Sequence, residues 1–253
     1  MAQFNAGNKT LSTMGMSHFL KLAAGDDTAL KDIAMEQAKM GNFANAIQCL
    51  NAIEDREYTP KSMWFADIAL LAFKAGQSDL AADLLSQAME LTKLAKDDQA
   101  RSQWVQRVML GRAETGDVPA ALAYANELSD MDRIRFLDQL ATIQAKGGDI
   151  AGAERTISQT PEAHGMPSTG EIALAKAKNG DFVGASQTAN WLGQAQLEIM
   201  RAQAKTGDLA GALSEVAKMR APGMQVDALI GIAKGLLELS SASESTTSQD
   251  RVH

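Results

Sequence analysis

Apolar positions recur at helical spacing along most of the chain, and the recurrence is punctuated by glycine. Six glycines, Gly41, Gly76, Gly116, Gly148, Gly180 and Gly207, share one surrounding pattern at separations of 35, 40, 32, 32 and 27 residues. Eight residues before each stands Ile33, Ile68, Val108, Leu140, Ile172 or Ile199. Three before stands Ala38, Ala113, Ala145, Ala177 or Ala204, with Phe73 in the remaining copy. Two before stands Lys39, Lys74, Glu114, Lys146, Lys178 or Lys205, mostly cations suited to the negative end of a helix. Five residues after each glycine stands Ala46, Ala81, Ala121, Ala153, Ala185 or Ala212.

This order has a physical meaning. A helix with one apolar face ends at a glycine in the left-handed conformation. The Asp or Asn that usually follows can cap the next helix. The alanine five residues on lets that helix approach the first closely. The predicted pairs are 27–40 with 43–54, 61–75 with 78–94, 97–115 with 118–129, 131–147 with 150–158, 170–179 with 182–191, and 193–206 with 209–219. A last helix, 224–238, has no partner after it, and a short helix near 11–23 caps the other end of the array. No segment alternates apolar and polar residues long enough for a strand. The segment 158–171, which contains His164 and two of the five prolines, predicts an irregular connector. Residues 1–26 are a polar lead-in, 27–239 one repeat domain, and 240–253, almost without apolar residues, a disordered tail.

The phrase Ile-Ala-x-x-x-Ala-Lys-x-Gly-Asp-x-x-Gly-Ala, clearest at 172–185, resembles the Ala/Gly-rich form of the bacterial tetratricopeptide repeat (TPR). The resemblance covers about residues 27–238. Early aromatic positions of that family have counterparts in Trp64 and Trp104, its closing proline is mostly absent, and several spacings differ from its usual period. A HEAT-type superhelix is the competing label. Membership would imply an all-α, right-handed α-solenoid of about six antiparallel helix pairs plus a C-terminal capping helix. It would also imply a concave surface that binds peptides or protein partners.

In such a stack, equivalent positions line up as columns. Twelve residues before the glycines, the middle copies carry Trp64, Trp104 and Phe136; fifteen before, Lys61, Arg101 and Arg133; four before, Arg112 in the third copy. Aromatic and Arg side chains are common interface anchors. The expected partner-binding patch is therefore Lys61, Trp64, Arg101, Trp104, Arg112, Arg133 and Phe136, facing an acidic or apolar peptide. The competing expectation is that the aromatics fill the core between pairs.

Composition narrows the chemistry. The 253 residues include 24 basic and 31 acidic side chains, 3 His and 1 Cys. The net charge of −7 disfavours a nucleic-acid partner. One cysteine excludes a disulfide framework, and the scattered His18, His164 and His253 do not suggest a shared metal site. No metal or cofactor is expected. The 13 methionines read as core filler. No P-loop, GxGxxG, HExxH or GxSxG motif occurs. Acidic pairs such as Asp26-Asp27 and Asp97-Asp98 stand at predicted helix starts, where carboxylates cap amides.

No apolar run spans a membrane and no secretory leader is visible, so the expected location is the cytoplasm. The polar N-terminus keeps export as an effector open. The function expected from all this is a non-catalytic protein–protein interaction scaffold. The alternatives are a ligand- or peptide-responsive regulator and an enzyme or effector with dispersed catalytic residues. Helix 224–238, with Ile230, Ile232, Leu236 and Leu237, also offers a face for self-association.

Overall fold

In the computed structural model the described residues are Ala23 and residues 25–160, 167–189 and 193–249, with 241–249 as backbone only. They form thirteen helices and no strand. In chain order these are α1 (Asp27–Lys39), α2 (Phe43–Ala52), α3 (Lys61–Lys74), α4 (Ser78–Thr92), α5 (Asp98–Glu114), α6 (Val118–Ala125) and α7 (Asp130–Lys146). The series continues with α8 (Ile150–Ile157), α9 (Pro167–Lys178), α10 (Phe182–Thr188), α11 (Gly193–Lys205), α12 (Leu209–Lys218) and α13 (Pro222–Gln249). The chain divides into two compact units, Met1–Tyr124 and Ala125–His253. The predicted cap helix near 11–23 and His164 lie outside the described residues, apart from Ala23.

All six repeat glycines have φ between +79° and +105°, the region where a side chain is strained and glycine is not. Each turn is closed in the same way. The glycine N–H donates to the carbonyl three residues back, and the N–H of the following residue donates to the carbonyl five residues back. Gly180 to Ala177 (3.0 Å) and Asp181 to Lys176 (3.0 Å) show the pattern, which recurs from Gly41 to Gly207. This is the Schellman closure, which satisfies carbonyls left over at a helix end.

From the third copy onward the Asp after the glycine has a second task, and Asp117 accepts from the Ala120 amide at 3.3 Å. Asp149, Asp181 and Asp208 accept from the amides of Gly152, Gly184 and Gly211 at 2.8, 2.8 and 2.9 Å. One residue thus finishes one helix and caps the next. A Cβ on any of those three glycines would collide with the capping carboxylate, which explains the second Gly in Gly-Asp-x-x-Gly-Ala. A further left-handed glycine, Gly25, precedes the cap Asp26, so the turn chemistry also stands at the start of α1.

The alanine five residues after each repeat glycine is 0% exposed in all six copies. That is the close seam the sequence predicts. Within the first unit α1 packs on α2 and α3 on α4, and the leading helices touch in turn, α1 with α3 and α3 with α5. Within the second unit α7 packs on α8, α9 on α10 and α11 on α12, while α9 touches α7, α11 touches α9 and α13 touches α11.

Some boundaries differ from expectation. Helix α6 stops at Ala125 rather than 129, because Ser129 starts the next helix as its N-cap, with Asp130 and Asp132 in the first turn. Pro167 and Pro222 open α9 and α13 earlier than expected, at a position where a missing N–H costs nothing. Helix α13 continues to Gln249, past the expected end at 238, with no Gly or Pro between 236 and 249 to stop it. Its N-terminal half lies close on α11. A Cβ at Gly235 would meet the Arg201 carbonyl and come within 3.2 Å of Ala204 and Lys205, so only glycine fits there.

Candidate functional site

The predicted patch is placed as follows. Lys61 opens α3 and is buried. Its Nζ donates to the Ile53 carbonyl (2.9 Å) and to Asp55 (2.7 Å), so its charge holds the loop 53–60 rather than facing solvent. That loop is tied down by other cations as well. Arg56 binds Glu54 and Asp27, and Lys96 binds Glu57. The hydrogen bonds to Glu54 and Glu57 raise the pKa values of Arg56 and Lys96.

The aromatic column is mostly interior. Trp104 is 5% and Phe136 1% exposed, and Trp64 is half-buried against the core of the first unit. Arg101 is exposed, but its Nε and Nη2 donate to the Ala95 carbonyl at 3.1 and 2.7 Å and so close the α4–α5 connection. Arg133 is half-buried, and its Nε has no hydrogen-bond partner among the described residues. Lys61, Trp64, Arg101, Trp104 and Arg112 belong to the first unit, Arg133 and Phe136 to the second.

Arg112 shows what a polar residue four before the glycine does; in the second copy that position is the buried Ala72. Its guanidinium lies 3.8 Å from Asp117, the turn carboxylate of its own copy. Gln144 and Gln203 donate to Asp149 and Asp208 at 3.2 and 3.3 Å in the same way. Gln144 also accepts a 2.6 Å hydrogen bond from Thr156, and Lys176 donates to Thr188 at 2.9 Å. Thr156 and Thr188 each stand eight residues after their glycine. This polar column therefore ties the two helices of a pair together across the turn. Buried Asp138 does similar work between pairs by accepting the Ser168 amide (3.1 Å) at the start of α9. Cys49 is buried in the first core, and burial raises its thiol pKa, which leaves little reactive thiolate.

Two clefts remain. In the first unit a cleft of about 430 Å³ lies among Phe73, Ser78, Asp79, Ala82, Arg112 and Asp117. In the second a cleft of about 310 Å³ is lined by three methionines, Met200, Met219 and Met224, with Glu215, Lys218 and Arg220 among its polar groups. Lys218 is held by Glu215 at 2.6 Å, while Arg220 is exposed and makes no ion pair among the described residues. A mobile, polarizable methionine lining adapts to varied apolar side chains. The expectation that methionine is core filler holds for Met200 (1% exposed) but not for Met224 (37% exposed). The only signal in the sequence is the position of Met219 and Met224 on either side of Pro222-Gly223.

Among the described residues no group of three or more His, Cys, Asp or Glu is placed to hold a metal ion, and no helix is long and apolar enough to cross a membrane. Comparison of the chain with protein-family models, with curated proteins and with solved structures finds no match.

Proposed function

We propose that the chain is a non-catalytic binding scaffold whose helix pairs stack as a TPR-like right-handed superhelix and hold a segment of a partner protein. The observation that carries this reading is the turn repeated six times with the same closure. In each unit the leading helices of successive pairs also touch one another. Repeated helix pairs of this kind make extended binding surfaces. Most of the polar side chains predicted to grip a partner are engaged in holding loops and turns, so the docking point shifts to the methionine cleft of the second unit. Its chemistry suits an apolar side chain flanked by a carboxylate, with Met219 and Met224 around the first and Arg220 against the second. Arg133, half-buried and with no partner for its Nε among the described residues, remains available as a secondary cationic contact. A cytoplasmic setting fits the single buried cysteine, and a bacterial source follows only from the repeat resemblance.

The test uses the immobilised full chain to capture partners, with Met224→Asp and Arg220→Glu alongside. The reading expects a defined partner set that both substitutions deplete. An unchanged set with both variants would count against the cleft. A cleft of this volume also suits a small ligand, which favours a ligand-responsive regulator as the second reading. A thermal-shift screen separates the two: stabilisation by small molecules but by no peptide would favour the regulator.

A further inference from the structure

Helix α13 has two faces of different character. One carries Ala228, Ile232 and Gly235 against α11. The other carries Val226, Ile230, Ala233 and Leu237, all exposed, with Val226 at 55%, Ile230 at 49% and Leu237 at 69%. The spacing of these four is 4, 3 and 4 residues, the alternation of the a and d positions of a heptad. That spacing reads the same from either end. When two such helices run antiparallel about a twofold axis between Gly231 and Ile232, Val226 falls opposite Leu237 and Ile230 opposite Ala233. Each layer then pairs a larger apolar group with a smaller one.

The flanking positions are consistent with that register. Asp227 and Lys234 occupy equivalent e positions, and both are exposed without an ion-pair partner among the described residues. In the antiparallel pair each Asp227 falls beside Lys234 of the second copy, twice by symmetry. On the other flank Leu229, 46% exposed, falls beside Leu236. In a parallel pair Lys234 would instead meet Leu229, and Asp227 would meet Pro222, so charge complementarity selects the antiparallel arrangement. A surface that is its own complement under a twofold axis fits a second copy of the same chain.

We propose that the chain self-associates through α13, which pairs antiparallel with α13 of a second copy in the register that sets Ile230 against Ala233 and Asp227 against Lys234. The interface is one helix face, so the association is concentration-dependent. It is independent of what the methionine cleft binds.

Sedimentation velocity of the full chain over a concentration series tests it. The mass should rise from 26.9 kDa towards twice that value. Ile230→Asp places a carboxylate at the centre of the stripe and should leave a monomer with an unchanged helical circular-dichroism spectrum, because Ile230 lies on the face away from α11. Asp227→Lys exchanges two attractions for two repulsions and should weaken the dimer about tenfold. Asp227→Lys with Lys234→Asp should restore it. A chain that stays monomeric up to about 1 mM overturns the proposal. So does a dimer that survives Ile230→Asp, or a double exchange that fails to recover the affinity lost by the single one.

Discussion

The two units reach the same turn by different means. In the first, three turns follow Gly41, Gly76 and Gly116; Asn42 and Gln77 after the first two do not cap α2 or α4 with their side chains, and Asp117 after the third accepts from the Ala120 amide at a longer 3.3 Å. That unit relies more on bulk: one large core cluster gathers Phe43, Phe65, Leu30, Leu50, Ile53 and Ile68 with many alanines. In the second unit every turn carries a capping Asp. Among the described residues the core there includes three small clusters in which alanine is the commonest residue, beside the buried Phe136, Leu137 and Leu140. Small side chains remove less apolar area from water, so caps and backbone proximity carry more of the load. The shared part, a left-handed glycine and a Schellman closure, is the part that fixes the direction of the chain.

The contrast is tested first by changing bulk. Phe65→Ala should cost about 3–5 kcal/mol in urea unfolding, the usual cost of emptying a large core site. The second unit should respond to the opposite change. Ala185→Leu, at a fully buried seam, should cost about 1–3 kcal/mol by overpacking. Equal tolerance of added bulk at Ala185 and on an exposed helix face would remove the distinction.

The turn itself should behave alike in both units. Gly76 has φ +79° and Gly180 has φ +82°, and an added Cβ would meet open space at both. Gly76→Ala and Gly180→Ala should therefore each cost about 1–2 kcal/mol from backbone strain alone. A difference between them larger than that cost would show that the turns are not equivalent.

The smallest expected effect is a pH dependence in the second unit. Glu238 on α13 binds Arg201 and Lys205 of α11, and these hydrogen bonds hold its carboxyl pKa below the ordinary carboxylate range. A depressed folded-state pKa contributes stability above the ordinary value of about 4 and loses it as pH falls through the depressed one. Glu238→Gln should flatten that part of the acid limb of a Tm-against-pH curve. An acid limb that the substitution leaves unchanged would remove this ion cluster from the forces that seat α13 on α11.

Much of the fold was legible because one glycine and one alanine, each at a fixed offset, suffice to define a helix-turn-helix seam. Gly-Asp-x-x-Gly-Ala carries its own geometry, since the closure, the cap and the collision at the second glycine all lie within nine residues, from the Lys176 carbonyl to Gly184. The patch was less legible. Spacing puts Trp104 and Phe136 on a shared helix face but does not say whether that face meets another helix or solvent. Lys61 reads as a surface cation until the path of residues 53–60 brings the Ile53 carbonyl and Asp55 to its Nζ. Gly235 resembles a further turn glycine, yet it lies inside α13 at a close approach to α11, and no Asp or Asn follows it to start another helix.

The most direct test of the shared turn with capping that differs from copy to copy is amide hydrogen exchange resolved at single residues. The amides of Asp117, Asp149 and Asp181, which donate to the carbonyls of Arg112, Gln144 and Lys176 across their turns, should be protected in both units. The amides of Gly152, Gly184 and Gly211, which donate to Asp carboxylates, should be protected more strongly than that of Leu80, whose helix has no side-chain cap. Equal protection at Leu80 and at the three glycines, or an unprotected closure amide in either unit, would contradict the account.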